Sequence, residues 1–225
     1  MVASLYKNRF ELFLSSQIAI LFGSLIVPPI LFENIFEPIL FLINLLAGVL
    51  LISTKPKLMW FCLLMLIISA VLFGISTFLG EESKQIGFIR MTGYFLFYLV
   101  VTVEIIKQVW SAKQVNKNVI FGLTSGYISL GLIGFFICLT IELIAPGSFQ
   151  GSLLGELGQT ELLAEELMYF SFITLMTIGY GDILPMTGLA QKAAIFIGLI
   201  GQFYLVIITA VVVGKYIIYK DAQQE

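Results

Sequence analysis

Residues 174–185 read TLMTIGYGDILP, and the reading of this stretch decides the fold. It places Gly179, Gly181 and Asp182, followed by Pro185, between two hydrophobic runs. Such a sequence interrupts a helix. Backbone outside a helix must satisfy its carbonyls elsewhere, and at membrane depth this is tolerated only inside protein or along a wet cavity.

The surrounding composition is that of a membrane protein. The chain has 225 residues, 59% hydrophobic and 12% charged, with a mean hydropathy of +1.03. Too few charges are present to give a soluble domain its polar skin. Lys7 and Arg9 precede the first apolar run. That run is too long for a signal peptide and lacks a small-residue cleavage site, so it is read as a first membrane helix. Cys62 and Cys138 lie in apolar runs and fit neither a metal spacing nor a disulfide framework. The absence of histidine removes the usual metal ligand and near-neutral pH switch. No nucleophile–base set suggests an enzyme. Neither a cofactor nor a nucleic-acid partner is expected.

Apolar length and breakers predict an all-α membrane protein with six crossings. The expected spans are Leu12–Phe32, Asn34–Ser53, Lys57–Leu79, Ser83–Trp110, Asn118–Ile144 and Gly188–Tyr219. Pro28-Pro29 should kink or end the first. Asn34 should cap the second, with Pro38 in its first turn. Gly80 should stop the third, and Thr187 should cap the last. Glu161–Met176 is a shorter amphipathic run of about 24 Å at 1.5 Å per residue, which enters the membrane without crossing it. With the stretch that follows, it forms a re-entrant hairpin.

Loop charges support an even count. Lys7, Arg9, Lys55, Lys57, Lys107, Lys113, Lys117, Lys215 and Lys220 then share one side, against Lys84, Arg90 and Lys192 on the other. The positive-inside rule puts both termini in the cytoplasm. The outer side holds Glu33, Glu37, Glu81, Glu82, Glu142, Glu156, Glu161, Glu165, Glu166 and Asp182, and would concentrate cations at a pore mouth.

Glycines let successive carbonyls of Thr177-Ile178-Gly179-Tyr180-Gly181 point the same way. A row of carbonyls ending at the Thr177 hydroxyl can replace the water shell of a cation. One chain supplies one wall, so four copies are expected around an axis.

This stretch resembles the selectivity filter of tetrameric potassium channels, usually spelled Thr-Val-Gly-Tyr-Gly-Asp. The likeness covers roughly residues 161–219. It implies a homotetrameric pore in the plasma membrane, with potassium ions held at Thr177, Ile178, Gly179 and Tyr180. It also implies filter support by Asp182 and Tyr169. Tyr169-Phe170 stand where such channels often have two tryptophans, one of which commonly bonds the filter aspartate. Met176 replaces a frequent threonine, and Ile173 takes a position that is glutamate or valine elsewhere; these departures bear on filter stability and inactivation. Ile178 for valine is conservative. Gly201, 21 residues after Tyr180, sits where the family often has a hinge glycine, although helix packing would equally call for glycine. Thr209, two turns on, is expected to share its face and line the cavity.

Six crossings with the pore last is the layout of voltage-gated channels. The division is then 1–113, a sensor-like four-helix domain, and 114–225, the pore domain. Yet IGFIRMTGYFLFYLVVTVEIIKQVW, residues 86–110, has no basic residue between Arg90 and Lys107. Strong voltage gating needs several such charges and is not expected. Glu104 is expected to pair with Lys107 or Lys113 at the membrane edge, with a gating role as the alternative. The residues after Tyr219, KDAQQE, are too short for a regulatory module. The expected function is passive, potassium-selective conduction; the alternatives are a cation transporter subunit and a non-conducting membrane sensor.

Overall fold

The computed structural model describes residues 6–28, 31–79, 84–112, 115–151 and 160–221. Pro29, Gly80, Glu81, Glu82, Lys113 and Glu156, and the side chains of Glu33, Asn34, Lys84, Glu161 and Lys220, lie outside what it describes, and with them the roles expected there. Seven helices are described: α1 Arg9–Phe22, α2 Glu37–Ile52, α3 Pro56–Leu79, α4 Lys84–Ser111, α5 Lys117–Ile144, α6 Thr160–Leu175 and α7 Gly188–Asp221. Strands β1 Phe149–Gly151 and β2 Ile183–Pro185 pair with one another. The chain forms two compact units, residues 1–126 and 127–225, with the boundary inside α5.

Among the described residues four helices, α3, α4, α5 and α7, are long and apolar enough to cross a membrane. α1 has 14 residues and α2 has 16, about 21 and 24 Å at 1.5 Å per residue. α1 ends at Phe22, well short of the expected Phe32. Gly23 begins a 3-10 turn, Gly23–Leu25, and Pro28 lies just beyond, where proline disfavours helix in the residue before it. Gly23 is also a packing site. A Cβ there would collide with the ring of Phe32, which is buried. A π-helical turn, Phe32–Phe36, leads into α2 with Pro38 in its first turn.

In the first unit α2 lies against α1 and α3, and α4 lies against α2 and α3. Gly48 on α2 leaves room for the Phe97 ring, which a Cβ would strike. A buried polar staple joins three helices. Asn44 Nδ2 donates to Ser16 Oγ at 2.8 Å and to the Phe13 carbonyl at 3.2 Å. Its Oδ1 accepts from the Tyr98 hydroxyl at 2.7 Å. Asn44 and Tyr98 are both wholly buried.

At one end of this unit the charged groups converge. The Arg9 guanidinium donates to Gln108 Oε1 at 3.2 and 3.3 Å, and Gln108 Nε2 donates to the Leu51 carbonyl at 3.1 Å. Glu104, 3% exposed, pairs with Lys55 at 2.8 Å. Among the described residues its partner is therefore Lys55 and not the expected Lys107, while Lys113 lies outside them. The turn between α2 and α3 returns Lys55 to the end of α4, a long-range consequence of the helical hairpin that local spacing does not reveal. Lys117 meets Glu11 at 3.3 Å. These contacts bring the start of α1, the α2–α3 turn, the end of α4 and the start of α5 to one end, as an up-and-down bundle requires.

In the second unit α6 packs on α7. β1 and β2 are antiparallel, with Phe149 opposite Pro185 and Gly151 opposite Ile183. The all-α expectation missed this short antiparallel pair. It clips together the chain before α6 and the chain after the glycine-rich stretch. Gly151 is needed there, because a Cβ would collide with the Asp182 carbonyl. Glu142, 6% exposed, accepts from the Gly147 and Phe149 N–H groups at 2.6 and 2.9 Å. It therefore fastens the turn after α5, and contributes less to an open anionic face than its sequence position suggested. Thr187 caps α7, accepting from the Ala190 N–H at 3.3 Å.

Candidate ion-conduction site

α6 is held against the end of α5 that lies in the same unit. Ser171 Oγ donates to the Gly131 carbonyl at 2.7 Å. A Cβ at Gly131 would strike the Phe172 ring, and one at Gly134 would strike Ser171 Oγ. Leu167, Phe170, Ser171, Ile173 and Leu175 are buried, and Phe170 meets the Phe149 ring edge-on at 5.2 Å. The helix is thus a fixed platform whose C-terminus opens directly into residues 176–182.

That segment has a specific backbone. Thr177, Gly179 and Gly181 have φ of 58°, 57° and 80°. Ile178 and Tyr180 are not in the left-handed region. Positive φ at every second residue turns successive carbonyls to the same side, instead of the opposite sides of a strand. Glycine takes this conformation without steric cost. Thr177, β-branched and with φ 58°, bears about 1–3 kcal/mol of strain.

The N–H groups are turned back the other way. Thr177 N–H reaches the Thr174 carbonyl at 3.0 Å, and Ile178 and Gly179 N–H reach the Ile173 carbonyl at 2.9 and 3.4 Å. No hydrogen bond among the described residues ends on the carbonyls of Thr177–Tyr180. The result is a row of unpaired carbonyl oxygens along residues 177–180, all of which are exposed. Such hard oxygen donors suit a weakly bound monovalent or alkaline-earth cation. Among the described residues no group of three or more His, Cys, Asp or Glu side chains is placed to hold a metal. The C-terminus of α6 adds its partial negative charge at the Thr177 end of this row.

The remaining candidates divide. Tyr169 Oη donates to Asp182 Oδ2 at 2.5 Å, and Asp182 Oδ1 accepts from the Ile183 N–H at 3.1 Å. The hydrogen bond to Asp182, with smaller contributions from desolvation and charge, pushes the Tyr169 phenol up to about 12, so it remains a donor at neutral pH. Gly201 is buried against α6, where a Cβ would collide with the Leu175 carbonyl. Thr209 is exposed and does not share that face. Eight residues of helix leave an offset of about 80°. Thr209 instead continues a stripe with Gln202 and Val206, both exposed.

Gln202 is the residue the sequence did not single out. Its Nε2 donates to Thr177 Oγ1 at 3.0 Å, while Thr177 Oγ1 donates to the Met176 carbonyl at 2.7 Å. The only sequence signal was a polar residue in an apolar helix, beside Gly201.

Residues 158–218 match a family model described as an ion channel, the segment that contains α6, the alternating backbone and most of α7. Comparison with curated proteins and with solved structures gives no match. Together with four helices suited to a membrane, the family match supports an integral membrane protein with an ion channel domain.

Proposed function

We propose that this chain is one subunit of a homotetrameric potassium channel, conducting passively through a filter made of Thr177, Ile178, Gly179, Tyr180 and Gly181. The observation that carries this reading is the alternating backbone with its unpaired carbonyls. In potassium channels four such loops replace the hydration shell of the ion. One chain has one loop, and Ile178 and Tyr180 leave 46% and 72% of their surfaces exposed. Three further copies would cover these side chains and close the ring. Potassium is the cargo, entering from a cavity lined by the Gln202, Val206 and Thr209 stripe. Asp182 and Tyr169 brace the outer end.

In this reading α1 and α2 cross with the other helices, giving six crossings. Both termini then face the cytoplasm of a plasma-membrane protein, as the lysine and arginine distribution favours. The first four helices act as a scaffold with weak voltage response. No catalysis is assigned to the protein.

The decisive experiment is purified protein in liposomes, followed by reversal potentials in mixed potassium and sodium. Selective, uncoupled potassium flux is expected. Equal permeability overturns the selectivity, coupled flux makes the protein a transporter, and no flux leaves a membrane sensor. A mass in detergent corresponding to a stable, conducting monomer or dimer overturns the tetramer.

A further inference from the structure

We infer that Gln202 is a positioning residue for the innermost cation site, holding the Thr177 hydroxyl so that this site binds its ion weakly. The inference rests on the channel reading above and concerns a residue outside the filter itself. A threonine hydroxyl has one donor hydrogen and two acceptor lone pairs. Here the hydrogen goes to the Met176 carbonyl at 2.7 Å, and one lone pair accepts the Gln202 amide hydrogen at 3.0 Å. A single lone pair per subunit is left for an ion.

Two effects then oppose a cation at that point. Half of the hydroxyl's acceptor capacity is committed to the amide. The Gln202 amide group also directs its partial positive charge at the same oxygen. Both residues are exposed on the open side of the chain, so the contact lies where an ion would leave or enter the filter. Gln202 can hold this position because Gly201, its neighbour, draws α7 against the Leu175 carbonyl. The backbone of α7 thereby comes close enough to the end of α6 for the side chain to span to Thr177. An apolar side chain at residue 202 would leave the Thr177 lone pair to the ion.

The test uses the whole protein in planar bilayers and internal barium, a divalent ion close to potassium in size, as the probe. Gln202→Met and Gln202→Leu remove the donor while keeping comparable volume, so failure of one to assemble leaves the other. Each is expected to tighten internal barium block by at least about threefold, the low end of what a single net hydrogen bond commands, since every subunit of the tetramer loses one; potassium-over-sodium reversal potentials stay unchanged. In a Thr177→Val background the same Gln202→Met change should move block by less than about twofold, because coupling requires both partners. Block constants equal to wild type in both variants overturn the inference while the channel reading stands. So does an undiminished shift in the Thr177→Val background. A wild-type protein that passes no ions overturns both.

Discussion

The Tyr169 hydroxyl and the Asp182 carboxylate meet at 2.5 Å, tying the third turn of α6 to the C-terminal end of the glycine-rich segment. Charge-assisted hydrogen bonds are shorter and stronger than neutral ones. The tie spans from the platform to the element that must hold its shape. Tyr169→Phe removes the donor and leaves the ring. We predict an unchanged potassium-over-sodium reversal potential but a faster decline of open probability during sustained conduction. Single-channel recordings in symmetric potassium provide the measurement; open times equal to wild type would show that Asp182 is held by its bond from Ile183 alone.

Gly201 is a point of close approach on α7. A Cβ there meets the Leu175 carbonyl, which is backbone and cannot swing aside, whereas Gly214 on the same helix has nothing within 4 Å. Ala in open helix gains about 0.5–1 kcal/mol over Gly, and overpacking costs about 1–3 kcal/mol. We therefore predict opposite signs. Gly201→Ala should lower the thermal midpoint of the detergent-solubilised protein, and Gly214→Ala should leave it unchanged or raise it. A hinge whose only requirement is flexibility would show reduced opening in Gly201→Ala with no loss of thermal stability, and that pattern would refute the packing account.

Much of the site was legible because its signal is local. Gly179 and Gly181 take the positive φ that their spacing in the sequence announces, whereas the positive φ of Thr177 had no sequence signal. Thr187 could be read as a cap because capping depends on residues three apart. What stayed hidden was held by residues far apart in the chain. Lys55 and Glu104 are 49 positions apart, and Tyr98 and Asn44 are 54 apart. Hydropathy overran the first helix because Leu25 and Ile26 are apolar yet exposed. A sliding apolar count does not register the turn at Gly23.

Asn44 is the polar residue on which the first unit depends. Two of its bonds go to α1 and one comes from α4, all inside a region with no access to water. Asn44→Leu would take from the Tyr98 hydroxyl the acceptor it has here and break both bonds to α1, although the Ser16 hydroxyl keeps its bond to the Phe13 carbonyl. Each stranded buried group costs about 1–3 kcal/mol. We predict a loss on the order of 3 kcal/mol in the first unit, read as increased hydrogen exchange across α1 and α2, with little change in residues 160–221. Exchange that rises equally throughout would show that the two units unfold together.

The final prediction concerns voltage. A sensing helix needs charges that travel through the field, each supplying about 2.3 kcal/mol per 100 mV. The buried stripe of α4 is instead dominated by Tyr94, Phe97, Tyr98, Val101 and Ile105, aromatic and apolar groups that carry no charge into the field. Arg90 and Lys107 are the basic side chains that the structure describes on this helix. Glu104 is the buried ionisable group nearest its end, and it is already joined to Lys55 at 2.8 Å. A pair that moves together carries no net charge across the potential, so it adds nothing to the gating charge. Open probability of single channels in symmetric potassium should therefore change by less than about one elementary charge's worth of steepness per subunit. Rectification of current is a separate property, since internal block can bend a current–voltage curve without moving the gate. A slope equivalent to several charges per subunit would overturn this account, and Arg90→Gln would then show whether that residue moves through the field.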